Sequence, residues 1–173
     1  MRVPHRVTRS SIRESPRSVS DVFFLDSGPL GLITHPQRSH EVVAITDWLK
    51  DCLRGGARVL VPAIVYYEIK RELLRANKTT GIARLEAFVN ATSDRYIPLT
   101  DNALRLAAEL WAESRREGRP NADATALDID VLLAAQALSF GGTPVVVTTN
   151  PRHISQFIPA RLWTDIDPAG FEA

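Results

Sequence analysis

The stretch ADATALDIDVLLAAQALSFGG, residues 122–142, decides how the rest of the chain reads. Its first half carries Asp123, Asp128 and Asp130; its second half is apolar, alanine-rich and closed by Gly141 and Gly142. That pattern predicts a buried helix ended by glycines, which take the left-handed backbone of a C-cap without strain. Carboxylates suit the start of a helix because the backbone dipole is positive there. Three such acids in so short a span exceed what capping needs. Asp130 is followed by Val131, Leu132 and Leu133. It therefore shares a turn with core residues, where a carboxylate is costly unless a cation balances it. Four and seven positions further on stand Ala134 and Ala137, small enough to let this helix lie close to a neighbouring strand.

Outward from this helix, apolar runs alternate with helical patterns. Residues 22–25 read as a strand broken by Asp26-Ser27-Gly28-Pro29, with Pro29 in the first turn of a short helix. A helix starts at Ser39 or His40, buries Val42, Ile45, Leu49 and Leu53, and ends at Gly55-Gly56. Residues 58–61 form a second strand closed by Pro62, and a helix over 63–77 follows with Ile64, Glu68 and Arg71 on one stripe. A short helix over 81–91 and a strand over 96–99 come next. Thr100 caps a long helix through Glu117 whose buried face is Leu104, Ala107, Leu110 and Trp111. After the opening helix come a strand over 144–147 and a last short strand over 161–164. Uniformly apolar strands alternating with helices predict an α/β fold, a mostly parallel central sheet covered by helices on both faces.

The length of 173 residues suits one domain with a normal core, expected over residues 21–166. Residues 1–20 hold five arginines, several serines and few large apolar side chains, and no apolar signal-peptide core. They read as a basic, disordered tail, or as an arm that touches RNA phosphates. Residues 167–173 are expected to fray. A net charge of +1 does not announce nucleic acid, so such a reading rests on local sites. The single cysteine, Cys52, excludes internal disulfides and Cys-rich zinc sites and fits a reducing, cytoplasmic setting. No apolar run is long enough to span a membrane.

In an open parallel sheet, sites form at the carboxyl ends of the strands. Asp26 ends the first strand, Glu68 lies two helical turns past the second, Asn150 follows the strand after the Asp130 helix, and Asp130 starts its helix from the same edge. Oxygen donors without His or Cys favour a hard cation, Mg²⁺ or Mn²⁺. Such a site suits metal-assisted hydrolysis of a phosphodiester. Ser27 and Thr148 can bond a carboxylate or the attacking water. Each acid also has a plainer reading: Asp26 as a turn residue, Glu68 as a solvent-facing helix residue, Asp123 as a loop or cap, Asp128 as an N-cap or a further metal ligand. His35, His40 and His153 read as surface or turn residues. Arg71, Arg115, Arg116, Arg119 and Arg152 are candidates for RNA phosphates, and the pair before Arg119 equally suits a helix C-terminus.

Strand-Asp26-Ser27-Gly28, then Val65-Tyr66-Tyr67-Glu68-Ile69, then Asp130 with Val-Leu-Leu-Ala-Ala-Gln-Ala, then Val146-Val147-Thr148-Thr149-Asn150, resembles the PIN domain, and most of all the VapC-type toxins of bacterial type II toxin–antitoxin pairs. Each motif alone is weak; the four in this order, over residues 22–163, are specific. The resemblance implies a Mg²⁺- or Mn²⁺-dependent endoribonuclease with its acids on Asp26, Glu68 and Asp130. It also implies a homodimer and a small antitoxin that plugs the site. The fourth family position, often Asp, is Asn150, whose neutral amide weakens attraction for a metal; Asp128 can compensate. Two alternatives stand beside this one. A PIN-like RNA-binding module would have lost catalysis at Asn150. A phosphoryl-transfer domain using Asp and Mg²⁺ would, if receiver-like, want a lysine after a late strand, where this chain has Thr-Thr-Asn-Pro-Arg.

Overall fold

The computed structural model describes residues 21–117 and 124–168, with the side chains of 124–127 outside that description. Five parallel strands stand in the order β3-β2-β1-β4-β5. They are β1 (Val22–Leu25), β2 (Arg58–Pro62), β3 (Tyr96–Ile97), β4 (Val145–Thr148) and β5 (Ala160–Leu162). β1 is central, with Phe24 opposite Leu60 on one side and Val146 on the other. Phe24, Leu25, Val61, Val146 and Val147 are wholly buried. Such double-sided burial is what turns a strand of a helix-covered parallel sheet into an unbroken apolar run.

The helices are α1 (Ser27–Ile33), α2 (His40–Arg54), α3 (Ala63–Arg75), α4 (Thr79–Val89), α5 (Asp101–Arg116), α6 (Ala124–Phe140) and α7 (Pro151–Ile154). Their starts are chemically marked. Ser39 accepts from the Val42 amide at 3.2 Å, and Thr100 from the Ala103 amide at 3.2 Å. α6 ends on Gly141 and Gly142, both at positive φ of 87° and 75°, where a side chain would be strained. Along α6, Val131, Leu133, Ala134, Ala135, Gln136 and Ala137 are all buried. Over residues 131–137 the helix is thus enclosed on nearly every side, and its alanines let it sit close to both the sheet and α5.

The expected elements are present with ends shifted by a residue or two, and several details differ. Leu53 is exposed, and Trp48 and Cys52 take its place on the buried face of α2. Continuing from Leu49, helical spacing arrives at Cys52, leaving Leu53 turned outward beside the cap. Leu104 and Trp111 are exposed as well; of the expected face Ala107 is buried and Leu110 partly so, and Ala103 and Ser114 join them. β3 holds two residues rather than four, since Pro98 has no N–H for the ladder. α7 is an additional short helix with Pro151 at its first position. The expected tail at 1–20, the loop holding Arg119 and Asp123, and most of the expected fraying end lie outside the described residues.

Candidate active site

Asp26 ends β1 and is the N-cap of α1. Its two oxygens are separately engaged: the Ser27 amide donates to Oδ1 at 2.7 Å and the Thr148 hydroxyl to Oδ2 at 2.6 Å. Thr148, almost fully buried at the end of β4, in turn accepts the Asn150 amide at 3.0 Å. One chain of hydrogen bonds therefore joins the carboxyl ends of the two central strands and fixes the Asp26 carboxylate in one orientation.

Glu68 enters this edge from α3. Its Oε2 is buried and makes no hydrogen bond within the protein. Burial raises its pKa, the Asp26 charge raises it further, and the Ser27 hydroxyl and the Arg71 guanidinium pull the other way. Asp130 enters from α6, nearly two turns inside the helix and not at its start as expected, because the helix already begins at Ala124. Burial first, then the charges of Asp26 and Glu68, push its carboxyl up to about 7. The three acids far apart in sequence thus lie in one another's field. A buried carboxylate oxygen without a donor is costly, and a cation is the natural means of compensating it.

Hard oxygen donors of this kind fit Mg²⁺ or Mn²⁺. Among the described residues, no three acidic, histidine or cysteine groups are gathered closely enough to form a ready metal shell. Mg²⁺ keeps several of its waters, so a site that engages the ion partly through water needs no tight cage. The donor set and the unpartnered Oε2 fit such an ion.

The remaining candidates are placed less centrally. Asn150 is exposed and caps α7 without a side-chain bond; Asp128 is also exposed, and it lies inside α6, four residues past Ala124, so it is not the N-cap. Arg71 stacks over the Tyr67 ring at 5.3 Å, and Arg115 over Trp111 at 5.1 Å. Arg116 and Arg152 are exposed, and Arg119 lies outside the described residues. Two residues that the pattern of acids did not single out bear on the site. Gly28 is so close to the β4–α7 turn that a Cβ there would stand 2.5 Å from Thr149 Oγ1 and 3.2 Å from Thr149 Cβ. Gln136, inside an alanine run, is buried and bonded at both ends of its amide.

No protein-family model matches the sequence, and no curated protein sequence does either. Solved structures do match by shape. A chain of VapBC2 from Rickettsia felis, in a complex bound to a DNA fragment from its promoter, superposes with a TM-score of 0.63 at 15% identity, over 82% of this chain and 98% of that one. FitAcB from Neisseria gonorrhoeae matches with a TM-score of 0.60 at 18% identity, over 83% and 99%. DNA-bound VapBC from Salmonella typhimurium matches with a TM-score of 0.56 at 21% identity, over 83% and 98%. No helix among the described residues is long and apolar enough to cross a membrane. The chain has the PIN-like α/β fold that these VapBC and FitAB structures contain.

Proposed function

We propose that the chain is a Mg²⁺- or Mn²⁺-dependent endoribonuclease, acting in the cytoplasm as the toxin of a type II toxin–antitoxin pair. The observation that carries this reading is the mutual field of Asp26, Glu68 and Asp130 at the carboxyl edge of the sheet, with one Glu68 oxygen buried and unpartnered. Asp26, Glu68 and Asp130 would hold the cation. When bound, it makes a water ligand more acidic and offsets charge on the phosphate. Thr148 and the Ser27 amide keep the Asp26 carboxylate fixed, so little reorganisation is needed when substrate arrives. Arg71, Arg115, Arg116 and Arg152 supply positive charge for the RNA backbone. An antitoxin partner is supported by the VapBC and FitAB names of the matching structures; the homodimer rests on the sequence resemblance. The exposed Asn150 favours one rival, an RNA-binding module without catalysis.

Purified protein, a labelled single-stranded RNA, and Mn²⁺ against chelator separate the two. Cleavage is expected with Mn²⁺ and is expected to stop in chelator. RNA binding with no metal-dependent cleavage would leave the binding module as the better reading.

A second expectation concerns Gly28. A methyl group there pushes the first turn of α1 from Thr149, and with it the cap that Asp26 provides. Gly28→Ala is expected to cost about 1 kcal/mol of stability and to slow cleavage by about tenfold, as misplacement of a catalytic group does. Pairing it with Thr149→Ala removes the two nearest atoms and should restore most of the rate. A double variant as slow as the single one would show that the contact is not the cause.

A further inference from the structure

Gln136 is almost completely buried on α6, among the buried apolar side chains of Leu133, Ala134, Ala135 and Ala137. Its Oε1 accepts the backbone amide of Ile64 at 3.1 Å, and its Nε2 donates to the carbonyl of Ile97 at 2.9 Å. The first of these is an unusual cap. α3 begins after Pro62, whose side chain offers no cap hydrogen bond, so its first-turn amides lack the usual local acceptor. An amide from a helix 72 residues away in sequence provides it. The second bond ties the same side chain to the end of the edge strand β3.

Glu68 lies one turn beyond Ile64 on α3, and Asp130 lies just under two turns before Gln136 on α6. These two helices carry two of the three acids. Glu68 and Asp130 also repel one another, and that force acts to part α3 from α6 at the end where the acids stand. On the side facing α4, α3 is already held by Tyr66, which donates to Glu86 at 2.7 Å, and by Lys70, which pairs with the same carboxylate. The start of α3 has the Gln136 amide.

We propose that Gln136 is a positioning residue that sets the spacing of Glu68 and Asp130 for a divalent cation, by capping α3 from α6. This rests on the reading of the three acids as a cation site. Groups that orient metal ligands from behind commonly change affinity by ten- to a hundredfold when removed.

The test is Mn²⁺ affinity by isothermal titration for wild type, Gln136→Met and Val89→Ala, with melting temperatures in chelator. Val89 is buried on α4, a helix that carries none of the three acids. Both variants should melt lower than wild type. Gln136→Met should bind Mn²⁺ about tenfold more weakly, while Val89→Ala keeps wild-type affinity. On labelled RNA, Gln136→Met should lose kcat and keep KM. If Gln136→Met does not fold, Gln136→Asn, which keeps an amide on a shorter reach, should show the same weakening to a smaller extent. Wild-type affinity in the folded Gln136 variant, or an equal loss in Val89→Ala, overturns the positioning role alone. A wild type that takes no Mn²⁺ overturns the cation site and the positioning role together.

Discussion

Asp130→Asn is expected to make the metal-free protein more stable at neutral pH, although it removes a charged group from the candidate site. Burial and the Asp26 and Glu68 charges raise the folded-state pKa of Asp130 to about 7 from an ordinary 3.8. A raised carboxyl pKa means that the folded chain holds the proton to higher pH than the unfolded chain does. The penalty is therefore absent below about 3.8, builds as pH rises, and is complete above about 7. At face value the shift corresponds to about 4 kcal/mol. Water reaches this half-buried group, and screening brings the expected gain to about 1–2 kcal/mol. Urea unfolding in chelator at pH 5 and pH 7.5 reads the effect. Wild type should weaken between these values and the variant should weaken less. Millimolar Mn²⁺ should then stabilise wild type by about 2–3 kcal/mol if it exceeds its dissociation constant a hundredfold, and the variant far less. Identical pH slopes and identical metal responses would mean that the three acids do not act as one site.

The largest effect is expected in catalysis. Asp26→Ala, Glu68→Ala and Asp130→Ala should each lower RNA cleavage by about a thousandfold or more, because placement of water and phosphate is geometric and each acid enters from a different element. Asn150→Ala should cost about tenfold, within the range of a removed outer group. Its amide side chain is neutral and exposed and makes no cap bond. Its backbone bond to Thr148 survives the substitution. Single-turnover rates on one labelled RNA give the ranking, with circular dichroism to show that each variant is folded. An Asn150→Ala protein as inactive as Asp130→Ala, with Mn²⁺ bound normally, would reverse this ranking of the site.

Much of this architecture is legible in the chain itself, for physical reasons that also explain the gaps. β1, β2 and β4 are apolar on both faces and closed by Asp26, Pro62 and the Thr-Thr-Asn turn, so pattern and punctuation agree. α5 is harder. Hydrophobicity alone selects Leu104 and Trp111 for burial, whereas the helix packs on Ala103, Ala107 and Ser114. Its neighbour α6 presents Val131 and Ala135 to Ala107, with Leu106 and Leu110 packed around that contact, and small side chains let the two helices approach closely. Leu104 and Trp111 are left exposed. α7 has four residues, too few for periodicity, and Pro151 directly after Asn150 is its one local sign. In the site, Asp26, Glu68 and Asp130 are readable because acids beside apolar runs are anomalous. Gln136 is not, because an amide within an alanine run looks like the solvent side of a helix. Only the burial of Ala134, Ala135 and Ala137 around it shows that the polar atoms must find partners inside.

The two outer strands have a consequence for how this protein can meet others. β3 has two residues and is followed by Pro98; β5 has three. A sheet margin recruits a further strand only if it offers a run of free N–H and C=O groups, and margins this short offer scarcely one repeat of the ladder. Among the described residues, growth of the sheet from chain to chain is thus disfavoured at both ends. Among the described residues, apolar side chains free to meet a partner lie on the helical surface, where Tyr67, Leu74, Leu104 and Trp111 stand exposed. The same truncation that shields the chain from indiscriminate stacking thus confines recognition to surfaces whose shape and charge discriminate among partners.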